Sequence, residues 1–242
     1  MTAARQVVPG LFVIATGIVN TFLIDDRDGC VLVDAGLPGR NADILRGVAE
    51  SGRRPTDIRH LIVTHAHPDH IGSLAALQSA TRAAVYCHPA DAPIVTAGAG
   101  FRPLRVTPGL VNWLVWRLFI RSILRRFARV DPTPVDHALY DGQVLPIAGG
   151  LIVLHAPGHC AGQVCLLWPP HGGVLLAADA AANVFGLGLS VTYEDLAEGE
   201  RQLRRLAALD FRVACFGHGK AIIGDAASQF RRRWPVGRAP AA

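Results

Sequence analysis

The sequence predicts a mixed α/β fold, and three observations support this prediction. Short apolar runs rich in β-branched residues recur along the chain, as in buried strands. Segments with apolar residues at helical spacing alternate with these runs, and Gly- and Pro-rich turns separate the elements. A chain of 242 residues with a hydrophobic fraction of 50% is long enough to bury a sizeable core. We therefore expect a globular protein of one large domain, residues 1–242.

The individual elements follow from hydrophobic periodicity. The predicted strands are residues 11–14, 21–24, 30–33, 61–63, 84–87, 144–145, 151–154, 163–167, 174–176 and 212–216. The predicted helices are residues 41–50, 111–128 and 194–209, and a further helix is expected to begin near Pro68. The tail from Phe230 is expected to be frayed.

One stretch, residues 64–72, carries an unusual density of metal-ligand side chains. His65, His67, Asp69 and His70 lie within six positions, directly after the predicted strand 61–63. Imidazole and carboxylate groups are the ligands that zinc prefers in proteins. The stretch therefore predicts a divalent metal site on a tight turn at the end of a strand.

Three further ligand-type side chains also follow predicted strands. His159 lies in a Pro-Gly-His turn, and His218 lies between two glycines, where backbone can pass close to a cluster. Asp179 follows an apolar run that is expected to be fully buried, so that its carboxylate needs a partner. Asp34 ends the strand 30–33 and has two interpretations: a simple cap, or a carboxylate that orients a ligand histidine.

The cysteines indicate a reducing compartment. The five cysteines are scattered and show no Cys-x-x-Cys spacing, so a disulfide framework is not expected. Cys160 is interpreted as a buried structural residue whose side chain points away from that of His159. The first ten residues lack the layout of a signal peptide, and Arg117 interrupts the best candidate for a membrane span, which begins after Leu110. We expect a soluble, cytoplasmic protein.

The segment from about residue 98 to 135 is predicted to be a helical insertion. It contains most of a basic stretch in which seven arginines and no acidic residue occur between positions 92 and 130. Because the rest of the chain is nearly neutral, a nucleic-acid surface is not expected. Arg117, Arg121 and Arg125 are predicted to share one helix face, opposite the residues Leu114, Leu118 and Phe119.

Two roles stay open for the helix 111–128. It would cover the site or pack on a second subunit of a homodimer. Alternatively, as a basic amphipathic helix, it would lie on a membrane surface or collect an acidic acyl-carrier substrate.

The ligand set resembles that of the metallo-β-lactamase superfamily, in particular its dinuclear hydrolase branch with glyoxalase II and the lactonases. The resemblance implies a four-layer αβ/βα sandwich of two mixed sheets with helices outside and the site along one edge. It also implies that His65, His67 and His159 hold one metal ion, that Asp69, His70 and His218 hold a second, and that Asp179 bridges both. Zinc is the default ion, although iron and manganese fit the same ligands.

The predicted activity follows from these ligands. Two divalent ions lower the pKa of a shared water to supply hydroxide at neutral pH, and they polarise a carbonyl. We therefore expect hydrolysis of a small ester, thioester or lactone, with Asp69 orienting the hydroxide or taking a proton. Two alternatives stay open: a mononuclear iron dioxygenase that acts on a persulfide, and a non-enzymatic protein with a relic metal site and a docking helix.

Overall fold

The structure is a computed structural model and describes residues 4–235 and residue 237. Its strands are β1 (Ala4–Val8), β2 (Leu11–Ala15), β3 (Asn20–Ile24), β4 (Cys30–Val33), β5 (Ile58–Ile62), β6 (Ala84–Cys87), β7 (Arg105–Val106), β8 (His137–Ala138), β9 (Val144–Leu145), β10 (Leu151–His155), β11 (Val164–Trp168), β12 (Val174–Leu176), β13 (Thr192–Tyr193), β14 (Val213–Cys215) and β15 (Ile222–Ile223). Its helices are α1 (Asn41–Glu50), α2 (Pro68–Ile71), α3 (Leu74–Thr81), α4 (Ala92–Ala97), α5 (Leu110–Val115), α6 (Arg121–Arg126), α7 (Leu196–Ala207) and α8 (Ala226–Arg233). Short 3₁₀ turns occupy Pro55–Asp57 and Pro170–Gly172, and a π-helical turn, Trp116–Ile120, joins α5 to α6.

The strands form two mixed sheets and one small ribbon. The first sheet has the order β1-β2-β3-β4-β5-β6-β8, antiparallel from β1 to β4 and parallel from β4 to β8. The second has the order β15-β14-β12-β11-β10-β9, in which only the β12–β14 pair is parallel. The ribbon pairs β7 with β13.

Three apolar clusters build four layers. In β4, Val31 and Val33 face the second sheet, where they join residues such as Leu166 in one core. The alternate residues of β4 face outward onto helices α1 and α3 in a second core, and a third core joins the outer face of the second sheet to α7 and α8. Because both faces of β4 are covered, its sequence reads as a continuous apolar run. The four-layer αβ/βα sandwich with mixed sheets is confirmed.

Most predicted elements are present, with small shifts at their ends. The helix predicted over 194–209 is shorter, because Asp195 caps α7 by accepting a hydrogen bond from the Glu198 backbone N–H at 3.0 Å. The expectation of a frayed tail from Phe230 was wrong up to Trp234, since both aromatic side chains pack into the third core. Residues 236 and 238–242 of that tail lie outside the described residues.

The predicted insertion helix is present over residues 110–126, as α5, the π-helical turn and α6. The predicted division into opposite apolar and basic faces was wrong, because Leu114 and Leu118 lie three residues before Arg117 and Arg121 and are therefore their neighbours on the helix surface. Burial does not separate the two sets either. Leu114, Leu118 and Phe119 are 40%, 61% and 62% exposed, and the arginines of the helix are exposed as well. No residue of this helix is buried. Both ends of the segment are fixed, by the β7–β13 pairing and by a hydrogen bond from the Val130 N–H to the Gly98 carbonyl oxygen.

Within the described residues, none of the helices combines the length and the apolar character that a crossing of the bilayer requires.

Candidate metal centre

The seven predicted ligand residues converge at one edge of the two sheets. His65, His67, Asp69 and His70 follow β5, and Asp179 and His218 follow β12 and β14, which are parallel neighbours. His159 follows β10 in the same sheet. Parallel strands present their carboxyl ends at the same edge, so that residues distant in sequence meet there. The structure thus brings together every residue that the sequence predicts as a ligand.

The first group consists of His65, His67 and His159. The Nδ1 atom of His67 lies 3.1 Å from Nε2 of His65 and 2.9 Å from Nε2 of His159. All three side chains are buried. Three imidazole nitrogens at this spacing can bind one divalent ion.

The second group consists of Asp69, His70 and His218. The Oδ2 atom of Asp69 lies 3.4 Å from Nε2 of His218 and 3.8 Å from Nε2 of His70. Carboxylate and imidazole donors again suit a divalent ion.

Asp179 lies between the two groups. One of its carboxylate oxygens, Oδ2, is 3.6 Å from Nε2 of His159 in the first group and 3.1 Å from Nε2 of His218 in the second. Its other oxygen, Oδ1, is 3.6 Å from Nε2 of His70. One carboxylate thus contacts histidines of both groups, which is the position that a bridging ligand requires.

Each of the five histidines uses one ring nitrogen toward the centre and the other toward the protein. The outer nitrogens contact Thr64 Oγ1 (from His65 Nδ1, 3.1 Å), Cys160 Sγ (from His67 Nε2, 3.1 Å), Asp34 Oδ2 (from His70 Nδ1, 2.8 Å), the Thr192 carbonyl (from His159 Nδ1, 2.7 Å) and the Ile18 carbonyl (from His218 Nδ1, 2.8 Å). Such outer contacts fix the tautomer that leaves the inner nitrogen free to bind metal.

Asp34 makes the contact that the second of its two interpretations requires. Besides the Nδ1–H of His70, its carboxylate accepts hydrogen bonds from the backbone N–H and the hydroxyl of Thr64. Asp34 has a φ of 65°, an uncommon conformation for a residue other than glycine. The hydrogen bonds fix this carboxylate behind His70 and offset the unfavourable energy of the backbone conformation of Asp34.

Cys160 is buried, as expected, and it contacts a residue of the first group. Its Sγ lies 3.1 Å from Nε2 of His67, the ring nitrogen that faces away from the centre, and the residue is 1% exposed. Burial, together with the nearby carboxylates of Asp91 and Glu194, raises the pKa of this thiol well above its usual value. Cys160 is therefore a neutral thiol that contacts a ligand histidine.

Asp91 supports the centre, although the sequence gives no sign of this role. Its fully buried carboxylate accepts hydrogen bonds from the Ala66 N–H at 2.8 Å and from the Gly162 N–H at 3.0 Å. It also pairs with Arg102 at 2.7 Å, and Arg102 lies 3.3 Å from Glu194. Asp91 thus fixes the two turns that carry His65, His67 and His159, and links them to the insertion. An Asp directly before a helix resembles an ordinary N-cap, so its sequence position gave no sign of this role.

The electrostatic environment differs between the two groups. Burial lowers the pKa of His67 to about 3, and burial with neighbouring imidazoles lowers the pKa of His65. Burial alone would also lower the pKa of His218, but the Asp179 and Asp69 carboxylates raise it to about 10. The pKa of His70 likewise rises, against the effect of burial, because of Asp179, Asp34 and Asp69. The imidazoles of the first group are therefore neutral. In the second group, the carboxylates of Asp34, Asp69 and Asp179 keep His70 and His218 protonated.

Two buried polar atoms without hydrogen-bond partners give independent support for a divalent metal ion at this site. Among the described residues, the buried His70 Nε2 and Asp179 Oδ1 have no hydrogen-bond partner, although both point into the centre. Buried polar atoms are rarely left without a partner, and a metal ligand is one reason for it. The residue at position 217 keeps this space open, because a Cβ atom on Gly217 would clash with Asp179 Oδ1 and with the His70 ring.

The amino-acid sequence matches a known protein family. The family model described as the metallo-beta-lactamase superfamily matches residues 14–218. Among curated proteins, the chain is 28% identical over 174 residues to the uncharacterized protein YobT of Bacillus subtilis, covering 71% of this chain and 66% of that protein. It is 27% identical over 188 residues to the probable metallo-hydrolase YflN of the same organism, covering 75% of this chain and 68% of that protein.

A fungal relative has a named activity. The chain is 26% identical over 207 residues to the thioesterase pkgB of Emericella nidulans, covering 84% of this chain and 46% of that protein. Among solved structures, a metallo-beta-lactamase mutant from Cronobacter sakazakii superposes with a TM-score of 0.70 at 24% identity, covering 90% of this chain and 81% of that one. The chain thus spans about half to two thirds of these curated relatives, and the solved structure shares its fold.

Proposed function

Since the chain belongs to the metallo-β-lactamase superfamily, we propose that it is a dinuclear metal-dependent hydrolase that cleaves a small carboxylic ester, thioester or lactone. The observation that carries this proposal is the position of Asp179. Its carboxylate contacts His159 of the first ligand group and His218 of the second, as two ions sharing one ligand would require. A mononuclear protein would not need the second group.

In this proposal His65, His67 and His159 would hold one ion, Asp69, His70 and His218 would hold the other, and Asp179 would be shared between them. Zinc suits a site with five imidazoles and two carboxylates, and iron or manganese would fit the same donors. When bound, the ions supply hydroxide at neutral pH and polarise the substrate carbonyl.

Asp69 is the proposed catalytic carboxylate. Burial opposes its ionisation, but the neighbouring His70 and His218 hold its pKa below the usual value. It is therefore ionised at neutral pH and accepts hydrogen bonds. Its side chain is partly exposed, at 18%, whereas that of Asp179 is 5% exposed, so Asp69 is the more accessible of the two to an attacking water. Asp69 would orient that water and accept its proton.

Nucleophilic catalysis by cysteine has little support. Cys160 is the cysteine in contact with the site, and its raised pKa keeps the thiol protonated at neutral pH. A thiol is a far weaker nucleophile than a thiolate. Attack by water therefore suits the site better than a covalent acyl intermediate.

The proposed substrate class rests on the edge of the site and on one relative. Three exposed apolar side chains follow the chain close to His218. The backbone carbonyl of Ile18 accepts a hydrogen bond from the His218 ring. Val184 and Phe185 come directly after Asn183, whose backbone N–H donates to the His218 carbonyl. An apolar edge of this kind suits an acyl group. The relative pkgB is named a thioesterase, which supports thioesters as the first substrates to test.

A cytoplasmic location is also part of the proposal. All five cysteines are buried free thiols in the described chain. Free thiols persist in reducing compartments, which supports the cytoplasm. Fractionation of the expressing cells would test this location.

The test combines metal analysis with a substrate panel. We expect about two zinc ions per chain, and hydrolysis of acyl thioesters, simple esters or lactones that a chelator abolishes and added metal restores. Penicillins and cephalosporins belong in the panel because the solved structural relatives are metallo-β-lactamases. The variants His67→Ala and Asp179→Asn should lose turnover while keeping their circular dichroism spectra.

A matched control is His171→Ala, which removes an exposed histidine outside the ligand groups. It should keep its metal content and activity. One iron ion per chain with oxygen uptake on a persulfide would overturn the proposal in favour of a dioxygenase. A protein that binds no metal and does not respond to chelators would overturn it in favour of a non-enzymatic role.

A further inference from the structure

The helix 110–126 has an unusual exposed surface. Six large apolar side chains on it are between 40% and 72% exposed: Leu110, Val111, Trp113, Leu114, Leu118 and Phe119. No residue of the helix is buried, so these side chains gain little from packing on the rest of the chain. Contiguous exposed apolar surface of this kind marks an interaction site in a folded protein.

The same helix is strongly basic. Arg117, Arg121 and Arg125 recur every four residues, and Arg126 and Arg129 follow. In the described part of the chain, no carboxylate lies within ion-pair distance of any of these five arginines. The Arg117 guanidinium lies 5.8 Å above the Trp113 ring. The positive charge of the helix is therefore free to meet an external anionic group.

We propose that the helix 110–126 docks in the plane of an anionic membrane surface. The apolar side chains enter the boundary between headgroups and acyl chains, and the arginines contact the lipid phosphates. A helix with Trp, Leu and Phe beside arginines combines the two interactions that hold amphipathic helices at such a surface. This inference concerns a surface outside the ligand groups and does not depend on the proposed hydrolase activity.

The distribution of the apolar side chains favours lipid over a protein partner. A protein groove accepts one stripe of side chains, at spacings of three and four residues. Here Leu110, Leu114 and Leu118 form such a stripe, but Trp113 beside Leu114 and Phe119 beside Leu118 are 50% and 62% exposed as well. Consecutive helical residues point about 100° apart. A fluid lipid phase can surround both directions at once, whereas a rigid groove would leave one of them in water.

The charge distribution disfavours a second copy of the chain as the occupant. Residues 92–130 contain seven arginines and no acidic residue. Two such helices packed together would bring like charges close without a compensating carboxylate in either segment, which is unfavourable. An anionic lipid surface supplies the opposite charge.

Vesicle co-sedimentation of the full chain tests the proposal. The probes are vesicles of phosphatidylcholine alone and of phosphatidylcholine mixed with phosphatidylglycerol. We expect binding to the mixed vesicles that weakens as salt is added. The triple variant Arg117→Gln, Arg121→Gln, Arg125→Gln should bind about a hundredfold more weakly, since each arginine near an anionic surface contributes about fivefold.

Matched variants separate the helix from general charge. The triple variant Arg231→Gln, Arg232→Gln, Arg233→Gln removes the same charge from α8 and should bind nearly as the parent chain does. The pair Leu114→Gln, Leu118→Gln should lose binding, whereas Val144→Gln, Ile223→Gln, at exposed apolar positions elsewhere, should keep it. Circular dichroism melting of each variant verifies that it folds.

Tryptophan fluorescence gives a second readout. Trp168 and Trp234 are 5% and 3% exposed, so a change on vesicle addition reports on Trp113 and Trp116. We expect a blue shift with phosphatidylglycerol vesicles that Trp113→Phe largely removes.

Three results would overturn the proposal. The first is an absence of binding to phosphatidylglycerol vesicles at low salt. The second is an equal loss of binding in the two arginine triples, which would indicate general charge attraction. The third is a homodimer that Leu114→Gln, Leu118→Gln dissociates, or binding of a purified acidic carrier protein without vesicle binding, either of which would assign the helix to a protein partner.

Discussion

The sulfur of Cys160 lies 3.1 Å from Nε2 of His67, while Nδ1 of the same ring faces His65 and His159. The two nitrogens of an imidazole point in different directions, so a sulfur at Nε2 cannot share an ion bound at Nδ1. Cys160 therefore orients His67 rather than joining it as a ligand, although its sulfur lies close enough to the three histidines to be grouped with them.

Replacement of Cys160 tests this orienting role. Cys160→Ala removes the acceptor of the His67 Nε2–H and should weaken metal binding by about 10- to 100-fold, whereas Cys160→Ser should restore much of it. The measurement is competition with a chromophoric chelator. The cobalt-substituted parent chain should lack a sulfur-to-cobalt charge-transfer band. The presence of that band, and its loss in Cys160→Ser, would show instead that the thiolate is a ligand.

Gly217 should be essential for an open centre. Gly217→Ala places a methyl group against Asp179 Oδ1 and His70 Cε1, so metal content should fall strongly while the fold persists. Gly188→Ala is the control, because a Cβ atom there meets only the Gly186 carbonyl oxygen, at 4.0 Å, and φ is not positive. Metal analysis of both purified variants is the measurement. Full metal content in Gly217→Ala would mean that the centre can accommodate the added methyl group.

Metal binding should release protons from the second group but not from the first. In the metal-free chain the pKa of His218 is raised to about 10 and that of His70 is also raised, so both are protonated at pH 7. The pKa of His67 is about 3 and that of His65 is lowered, so these rings are neutral. Metal affinity of the second group should therefore decrease as the pH falls below about 10, by up to tenfold per pH unit for each displaced proton.

Calorimetric titration of the metal-free chain measures this difference. In buffers of different ionisation enthalpy, the first ion should bind with little proton exchange and the second with release of about two protons. Equal proton release in both steps would contradict the assignment of the protonated histidines to the second group.

The raised pKa of His218 also affects the stability of the metal-free fold. It stabilises the fold below about pH 6.5, the pKa of histidine in the unfolded chain, and this contribution is lost as the pH rises through about 10.

Asp91 should contribute strongly to stability. Asp91→Ala leaves the Ala66 and Gly162 N–H groups without their acceptor and Arg102 without its buried partner. Breaking a buried pair of this kind lowers the free energy of unfolding by about 3–5 kcal/mol. Asp210→Ala, which breaks the exposed pair with Arg231, should lower it by no more than about 1 kcal/mol. Urea denaturation measures the free energy of unfolding of the two variants. Similar losses in both would show that Asp91 contributes no more to stability than an exposed ion pair does.

Asp34 should act on metal affinity through His70. Asp34→Asn keeps the size of the side chain but removes the charge behind the Nδ1–H of His70. We expect metal affinity of the second group to fall by about 10- to 100-fold. Calorimetric titration of the variant is the measurement, with unchanged binding by the first group as the internal control. Unchanged affinity at both groups would restrict Asp34 to the hydrogen bonds with Thr64.

The sequence by itself predicted which side chains meet at the candidate centre and most of the elements that carry them. His65, His67, Asp69 and His70 stood out by their density in one short stretch, and His159, Asp179 and His218 stood out by their position after apolar runs. The helix 41–50 was predicted with its final bounds, because apolar spacing is a local property.

The tertiary structure decided the contacts that no local pattern contains. The direction of the Cys160 side chain depends on the turn that follows β10, and the role of Asp91 depends on two backbone N–H groups far away in sequence. The short strands β7 and β13 exist only because they pair with each other across the base of the insertion. The exposure of the helix 110–126 likewise depends on what the rest of the chain leaves uncovered, since burial is set by long-range packing rather than by hydrophobic periodicity.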